Sequence, residues 1–327
     1  MFIIKNKTIL LYIMSKLVLL YKDSSFWFKI VVFVILILLG LHIHKILNSN
    51  KEDAYEGFDS LKESFSIKDN NNLYDEFYSS IYDELVANPI RTEYEIGKII
   101  YTTNVTPESV LLDVGCGTGH LEHGFNRLGY KNIIGIDKSP DMIRKSLLSY
   151  PKYKYYVADI MNISGPPFNT TKFTHIMCLY FTIYYIENKN IFFKNCYDLL
   201  LPGGNLIVHV VDRNNFDPIL PSGNPFYILS PQNYVKKRIT TSNVDFNGYD
   251  YKANFKLNNN ENKAIFEEKI KDKNTNNVRV NEHTLYMETI YSILNMARSV
   301  GFIIHSKIDM IECGYDYQYL YVFTKPS

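Results

Sequence analysis

A glycine-rich loop is the part of the sequence whose residue types best suit ligand binding. The letters LLDVGCGTG close a buried apolar run and place glycines at Gly115, Gly117 and Gly119, with an acid at Asp113. Glycine permits positive φ and lets backbone amides approach a ligand closely. A dinucleotide fingerprint requires G-x-G-x-x-G, but His120 occupies the third glycine position. The loop therefore predicts a different small-ligand site, in which Asp113 can hold a cationic amine.

Two further acids end apolar runs downstream of this loop. Asp137 closes NIIGID, about twenty residues after the glycines, and a carboxylate there accepts hydrogen bonds from vicinal ribose hydroxyls. Asp159 closes KYYVAD in the same way. Because parallel strands end at one edge of a sheet, these acids are expected near the glycine loop.

The motif DVGCGTG resembles motif I of the class I S-adenosylmethionine (SAM)-dependent methyltransferases. The resemblance extends over residues 73–326 as strand order and over five short motifs. It implies SAM as the cofactor, with the glycine loop around the methionyl part, Asp137 on the ribose and Asp159 at the adenine amino group. The cofactor-binding residues implied by the resemblance are Asp113, Gly115, Cys116, Gly117, Thr118, Gly119, Asp137, Lys138, Ser139, Met142, Asp159, Ile160, Cys178, Leu179 and Tyr78.

The catalytic residues are less well defined than the cofactor site. The family often has an acid early in the fourth strand, and Thr174-His175 stands there instead. Tyr180, at the end of that strand, and His283 are the candidate catalytic groups, the latter as a general base. Arg279 is a candidate to bind a substrate carboxylate, with an ordinary strand residue as the alternative.

Tyr74, Tyr78 and Tyr82 recur at intervals of four and share one face of a predicted helix. Two interpretations stay open for this stripe. It forms a lid over the cofactor pocket, as in related small-molecule methyltransferases, or it packs into the core.

The elements that must position these groups alternate between strand and helix. Seven apolar runs predict strands near residues 109–114, 132–137, 154–159, 172–180, 205–212, 302–311 and 317–325. This alternation predicts an α/β, doubly wound, mostly parallel seven-stranded sheet with an antiparallel last strand. Period-2 segments separated by Asn-rich turns predict a small antiparallel β insert over about 243–286.

The N-terminal region has a different composition. Residues 1–50 hold six lysines and one acid, and the apolar stretch at 27–47 predicts a transmembrane helix. A cleaved signal peptide is the alternative. The predicted organisation is an anchor at 1–47, a linker at 48–72 and a methyltransferase domain at 73–327. This organisation implies a single-pass membrane protein. The positive-inside rule places the domain across the membrane, while the need for SAM favours the cytosol.

Cysteines and histidines give no metal pattern. The four cysteines contain no CxxC pair, which is typical of reduced, structural thiols. His120 and His123 lie one helical turn apart but lack further ligands, so no metal site is predicted.

The sequence thus predicts an enzyme that transfers a methyl group to a small-molecule or membrane-associated acceptor. The alternatives are a protein or RNA methyltransferase and a SAM-binding scaffold without catalysis. Outside residues 1–50 the net charge is −4, and basic stripes are absent, so nucleic acid is a disfavoured partner. The acceptor and the oligomeric state are left open.

Overall fold

The computed structural model describes residues 24–35, 37, 61–218, 240–246 and 248–327. Contacts divide the chain into two units, Met1–Phe58 and Asp59–Ser327. The described strands of the larger unit are β1 (Phe65–Lys68), β2 (Leu111–Val114), β3 (Ile133–Asp137), β4 (Lys154–Val157), β5 (Phe173–Cys178), β6 (Leu200–Val211), β7 (Thr241–Phe246), β8 (Tyr249–Asn258), β9 (Lys263–Asp272), β10 (Val278–Tyr286), β11 (Ile303–Asp309) and β12 (Gln318–Thr324). Its described α-helices are α1 (Glu76–Val86), α2 (Pro89–Thr103), α3 (His120–Arg127), α4 (Pro140–Ser149), α5 (Lys189–Leu199) and α6 (Ile290–Val300).

The main sheet has seven strands in the order β11-β12-β6-β5-β2-β3-β4. Strands β2 to β6 pair in parallel, while β12 is antiparallel to both β6 and β11. The prediction of a seven-stranded sheet is confirmed. Because β2 lies between β3 and β5, the strand order changes direction at its carboxyl end, which is where open α/β sheets bind ligands.

Helices pack on both faces of this sheet. On one face, Ile96 and Ile99 of α2 and Phe125 of α3 join an apolar core with Leu320 and Val322 of β12. On the other face, Phe193 of α5 contacts Phe323, with ring centroids 5.8 Å apart. Residue 323 points away from 320 and 322 because strand side chains alternate.

A second sheet has five strands in the order β1-β10-β9-β8-β7. Its four later strands form an antiparallel meander, as predicted for the insert, and β1 adds in parallel to β10 with Phe65 opposite Val278. Strand β1 falls within the predicted linker. It has only four residues and pairs with a strand more than 200 positions later, so local periodicity gives no signal for it.

The predicted transmembrane helix at 27–47, and the single-pass membrane location that rested on it, are wrong. In the described residues, no helix combines the length and the apolar character that a membrane span requires. The described helix there covers residues 26–35, about 15 Å at 1.5 Å per residue, against a hydrocarbon core of about 30 Å. The rest of the predicted span lies outside the described residues apart from Ile37, as do residues 48–60 of the predicted linker.

Candidate active site

The glycine loop leaves β2, between β3 and β5, and turns sharply. Gly115, Gly117 and Gly119 have φ of 74°, 54° and 88°, a region that favours glycine. The Gly115 amide donates to the Ile136 carbonyl at 2.8 Å, which ties the loop to β3. A Cβ on Gly115 would stand 2.6 Å from the Thr182 side chain. Conformation therefore favours glycine at all three positions, and close packing adds to this at Gly115.

Asp137 is fixed at the carboxyl end of β3 by two backbone amides. Gly117 N donates to its Oδ2 at 3.1 Å, and Ser139 N donates to its Oδ1 at 2.9 Å. Burial raises the pKa of Asp137, although these amides and the nearby Lys138 oppose the rise. Each carboxylate oxygen has a second lone pair, so Asp137 can still accept hydrogen bonds from a ligand's hydroxyls.

A cavity of about 860 Å³ opens beside the loop, a size typical of small-molecule sites. One wall, called here the polar wall, follows the ends of β2, β3 and β4. The predicted cofactor residues on it are Gly115, Gly117, Asp137, Lys138, Ser139, Met142, Asp159 and Ile160. The structure therefore brings these eight residues to one surface.

The opposite wall, called here the aromatic wall, comes from other segments. Tyr74, Tyr78 and Tyr82 lie there with ring centroids 5.6–6.2 Å apart. The helix begins at Glu76, so Tyr74 precedes it, and Tyr78 is buried while it also lines the cavity. Packing of Tyr78 into the core is thus observed, while a lid over the cofactor pocket stays a prediction.

The second sheet forms the rest of the aromatic wall. Phe255 of β8, Phe266 of β9, and His283 and Leu285 of β10 line the cavity. The inward residues alternate along each strand, as a half-buried sheet requires. The predicted β insert therefore encloses one side of the cavity.

Six predicted cofactor residues do not line the cavity. Cys116 packs against Ile143 and Tyr155, and Gly119 lies against the Tyr155 hydroxyl. Cys178 is fully buried within β5, and Leu179 joins the apolar core. The others are Asp113 and Thr118. Their contact with a cofactor stays a prediction.

Asp113 faces away from the cavity into a buried group of acids. Its side chain lies with Glu95 of α2 and Glu122 of α3, and all three residues are at most 4% exposed. Burial first, and then the charges of Glu95 and Asp137, raise the pKa of Asp113 to about 8. Burial also raises the pKa of Glu95 to about 7. The Asp113 side chain does not line the cavity, and its contact with a cationic amine stays a prediction.

Thr118 links the loop to α1 instead of lining the cavity. Its hydroxyl donates to Asp83 Oδ1 at 2.5 Å. Asp83 also contacts His120 Nε2 at 3.1 Å, so the start of α3 is tied to the tyrosine-bearing helix.

The two candidate catalytic residues occupy different surroundings. Tyr180 lines the cavity with φ of 52°, which is uncommon for a non-glycine residue, and its ring lies 4.2 Å from the Arg91 guanidinium carbon. Burial holds its pKa well above the ordinary value, so the phenol stays neutral. His283 lies in a hydrogen-bonded chain, which gives it the stronger chemical setting.

Two residues of this hydrogen-bonded chain, Glu268 and Tyr185, were not predicted from the sequence. His283 Nε2 lies 2.7 Å from Glu268 Oε2, and His283 Nδ1 lies 2.6 Å from the Tyr185 hydroxyl. Glu268 was detectable in principle, because it interrupts an inward apolar series with Ala264, Phe266 and Ile270. Tyr185 belongs to a short 3-10 helix, Thr182–Tyr185, that has no clear periodic signal.

Arg279 is not available to a substrate carboxylate. Its guanidinium binds both oxygens of Asp75 at 2.7 and 2.8 Å, the Leu73 carbonyl at 2.6 Å and Asn281 at 2.7 Å. It is 2% exposed and does not line the cavity. Its role is to join the second sheet to the start of α1.

Part of the chain is similar in sequence to known methyltransferases. Residues 112–208 match a family described as "Methyltransferase domain". A ubiquinone biosynthesis O-methyltransferase of Xanthomonas campestris pv. campestris is 26% identical over 130 residues, which cover 38% of this chain and 51% of that protein. A putative methyltransferase of Invertebrate iridescent virus 6 is 28% identical over 105 residues, covering 32% of this chain and 38% of that protein. The chain spans about half the length of the curated relatives that it matches first.

Solved structures extend the similarity over the whole fold. A SAM-dependent methyltransferase from Clostridium acetobutylicum superposes with a TM-score of 0.59 at 18% identity, covering 78% of this chain and 100% of that one. The methyltransferase CcbJ from Streptomyces caelestis gives 0.61 at 12% identity, with 79% and 100% covered. SAM-bound CalS10, an amino pentose methyltransferase from Micromonospora echinaspora, gives 0.53 at 17% identity, with 78% and 98% covered.

The polar wall also fits SAM chemically. Positive-φ glycines let backbone approach a ligand, and a Cβ on Gly117 would meet nothing closer than the Tyr82 ring at 3.6 Å. Asp137 keeps acceptor capacity for a diol at the same wall. The strand order and the methyltransferase domain matched over residues 112–208 thus support the class I SAM-dependent methyltransferase family for this chain, with SAM as the cofactor.

Proposed function

We propose that this chain transfers the methyl group of SAM to a small-molecule acceptor held against the aromatic wall. The observation that carries the proposal is one continuous cavity bounded by the glycine loop on one side and by the second sheet on the other. Named relatives support a small acceptor, since they include ubiquinone biosynthesis and amino pentose methyltransferases.

The proposed cofactor seat uses the residues of the polar wall. Gly115 and Gly117 would lie along the methionyl part, and Asp137 would accept hydrogen bonds from the ribose hydroxyls. Met142 and Asp159 would flank the adenine. Support comes from their common position on this wall of the cavity.

Bound SAM supplies a methyl group on a sulfonium sulfur, which is a good leaving group. The chain's residues then have to align the acceptor and exclude water. Tyr82 covers the glycine loop, and Phe255, Phe266 and Leu285 supply an apolar enclosure around the acceptor.

Calorimetry on the full chain tests the cofactor seat. Asp137→Ala should weaken SAM binding at least tenfold, because it removes the proposed ribose acceptor, roughly 1.4 kcal/mol or more. Asp198→Ala is the matched control, since Asp198 is a half-exposed acid on α5 paired with Lys194. Equal binding by the parent and the Asp137 variant would contradict this seat.

A transfer assay tests the acceptor class. The parent is incubated with SAM carrying a labelled methyl group and with catechol, o-phenylenediamine, a histone mixture or total RNA. Label is expected on a small molecule. Label only on protein or RNA would replace the proposal with the macromolecular alternative, and SAM binding without any transfer would favour a scaffold.

A further inference from the structure

We propose that Tyr185, His283 and Glu268 form a proton relay that accepts the proton of a hydroxyl-bearing acceptor. The inference rests on the proposed function and narrows the acceptor to compounds that are methylated on oxygen. His283 and Tyr185 line the aromatic wall, while Glu268 is fully buried behind them.

The hydrogen-bond geometry gives the relay a direction. Glu268 accepts from the Tyr251 hydroxyl at 2.7 Å and from the Asn281 amide at 3.1 Å. An ionised carboxylate has only acceptor capacity, so the 2.7 Å contact with His283 requires a proton on Nε2. His283 Nδ1 is then the acceptor, and the Tyr185 hydroxyl donates to it at 2.6 Å.

Glu268 stays ionised despite its burial. Burial by itself raises the pKa of a carboxyl, but the positive charge available on His283 and hydrogen bonds from His283, Tyr251 and Tyr78 lower the pKa of Glu268 below its ordinary value. A buried carboxylate beside an imidazole stabilises the imidazolium that forms when the ring takes up a proton. Glu268 is therefore a positioning residue, which holds the imidazole through Nε2 and leaves Nδ1 facing the Tyr185 hydroxyl.

The groups around His283 complete this setting. From the region of α1, Tyr74 and Tyr78 face the ring with centroids 6.3 and 6.2 Å away. Phe266 of β9 lies 5.3 Å away. On its own strand the nearest inward charge is Arg279, which reaches Glu268 only through Asn281. The charged group in direct contact with the ring is thus Glu268.

The relay lies close to the glycine loop. Tyr82 stands beside Gly117, Tyr74 lies 6.2 Å from Tyr82, and Tyr185 lies 5.9 Å from Tyr74, in ring-centroid distances for the last two pairs. Tyr185 also shares a hydrogen bond with Tyr74. Gly115, Gly117 and Tyr185 line the same cavity, so an acceptor in this aromatic space shares it with the loop.

The step balances without any further reactant. The acceptor oxygen forms a bond to the methyl carbon as the bond between that carbon and the sulfonium sulfur breaks. The hydroxyl proton of the acceptor passes to Tyr185 Oη, and the proton of Tyr185 passes to His283 Nδ1. His283 later releases its proton to water. A neutral amine attacks without prior loss of a proton, so the relay is a feature that an oxygen acceptor needs.

The first test needs neither SAM nor an acceptor. ¹⁵N NMR of histidine-labelled full chain, with the His283 signal assigned by its loss in His283→Gln, reports which ring nitrogen carries the proton. The relay predicts a protonated Nε2 and a bare Nδ1 at about pH 8. A proton on Nδ1 under those conditions would overturn the proposal, because Nδ1 could then not accept.

Kinetics provide the second test. With catechol as the probe, Tyr185→Phe and Glu268→Gln should lower kcat at least tenfold and leave KM within about twofold, while calorimetric SAM binding is unchanged. Glu267→Gln is the matched control, because its side chain is exposed on the opposite face of β9. With o-phenylenediamine, Tyr185→Phe should change kcat by less than twofold.

The outcomes separate this inference from the proposed function. A parent that binds no SAM contradicts the proposed function, whereas the NMR result still decides the relay. A parent that methylates catechol as fast as the Tyr185 and Glu268 variants keeps the proposed function and removes the relay. If Tyr185→Phe lowers kcat equally with o-phenylenediamine and with catechol, then Tyr185, His283 and Glu268 have a structural role and do not transfer the proton.

Discussion

The ring of Tyr82 lies 3.6 Å from the point at which a Cβ on Gly117 would stand. A methyl group on Gly117 would therefore reach van der Waals contact with a tyrosine from α1. Tyr82 of the aromatic wall thus lies close to Gly117 of the polar wall.

Gly117→Ala should weaken SAM binding at least tenfold. The added methyl group occupies the space through which the loop is proposed to reach the cofactor, and φ of 54° adds strain of about 1 kcal/mol. Gly129→Ala is the control, because Gly129 has φ of 96° and nothing within 4 Å of an added Cβ. Calorimetry and thermal unfolding of both variants separate the two effects. If Gly117→Ala and Gly129→Ala weaken SAM binding equally, the loss of binding comes from backbone strain and not from the space that the added methyl group occupies.

Tyr82→Ala should weaken SAM binding about tenfold. It should also speed hydrogen exchange of the loop amides, because the ring no longer shields them from water. The variant removes ring contacts with Tyr74 and Tyr78, each worth about 0.5–1.5 kcal/mol. Tyr101→Ala serves as the control, since Tyr101 is 85% exposed on α2. Hydrogen exchange of the Gly115–Gly119 amides reports on loop protection. Unchanged exchange in the Tyr82 variant would show that the ring does not cover the loop.

Stability should fall as pH rises from about 5 to about 9. In the folded chain the pKa of Glu95 is about 7 and that of Asp113 about 8, both above their ordinary values near 4. Folded chains thus bind more protons than unfolded chains in this window, so each acid favours folding when protonated and disfavours it as pH rises through the folded pKa. One pKa unit corresponds to about 1.4 kcal/mol. The expected loss in the free energy of unfolding is at least about 2 kcal/mol.

Asp113→Asn tests whether ionisation of Asp113 causes part of this fall in the free energy of unfolding. The amide cannot ionise, so denaturant unfolding should depend less on pH, and the variant should be more stable than the parent at about pH 9. Asp198→Asn, at a half-exposed position, should follow the parent. A steeper pH dependence in the Asp113 variant would contradict the role of this buried acid group.

Arg279→Lys should cost about 3 kcal/mol of folding free energy. An ammonium cannot replace the planar fork that binds Asp75, Asn281 and the Leu73 carbonyl, and it leaves buried partners without hydrogen bonds. Lys68→Met removes the other cation near Asp75, at 3.6 Å and half-exposed, and should cost less than about 1 kcal/mol. Urea unfolding measures both. Equal costs would contradict a structural role specific to Arg279.

The polar wall was largely predictable because its signals are local. The glycines of the loop and the acid Asp137 follow apolar runs, and parallel strand ends meet at one edge of a sheet. Asp113 belongs to the same motif, but its position two residues before Gly115 does not reveal which way the side chain faces. The structure turns it towards Glu95 and Glu122, which come from two helices.

The aromatic wall was harder to predict because it depends on long-range pairing. His283 meets Glu268 across two antiparallel strands and Tyr185 across 98 positions of sequence. The short strand β1 joins β10 for the same nonlocal reason. The prediction of a transmembrane helix was wrong for a different reason. Residues 27–47 have high hydropathy, but the described helix is too short to span a membrane.

The second sheet is joined to the rest of the unit through β1, which pairs with β10 and immediately precedes the tyrosine-bearing segment. The two walls of the cavity are encoded by separate stretches of chain: the polar wall by residues 114–161, and the aromatic wall mainly by residues 74–82, 185 and 255–286. Under the proposed function, substitutions in the stretches of the aromatic wall would alter acceptor preference while every residue of the proposed cofactor seat keeps its identity.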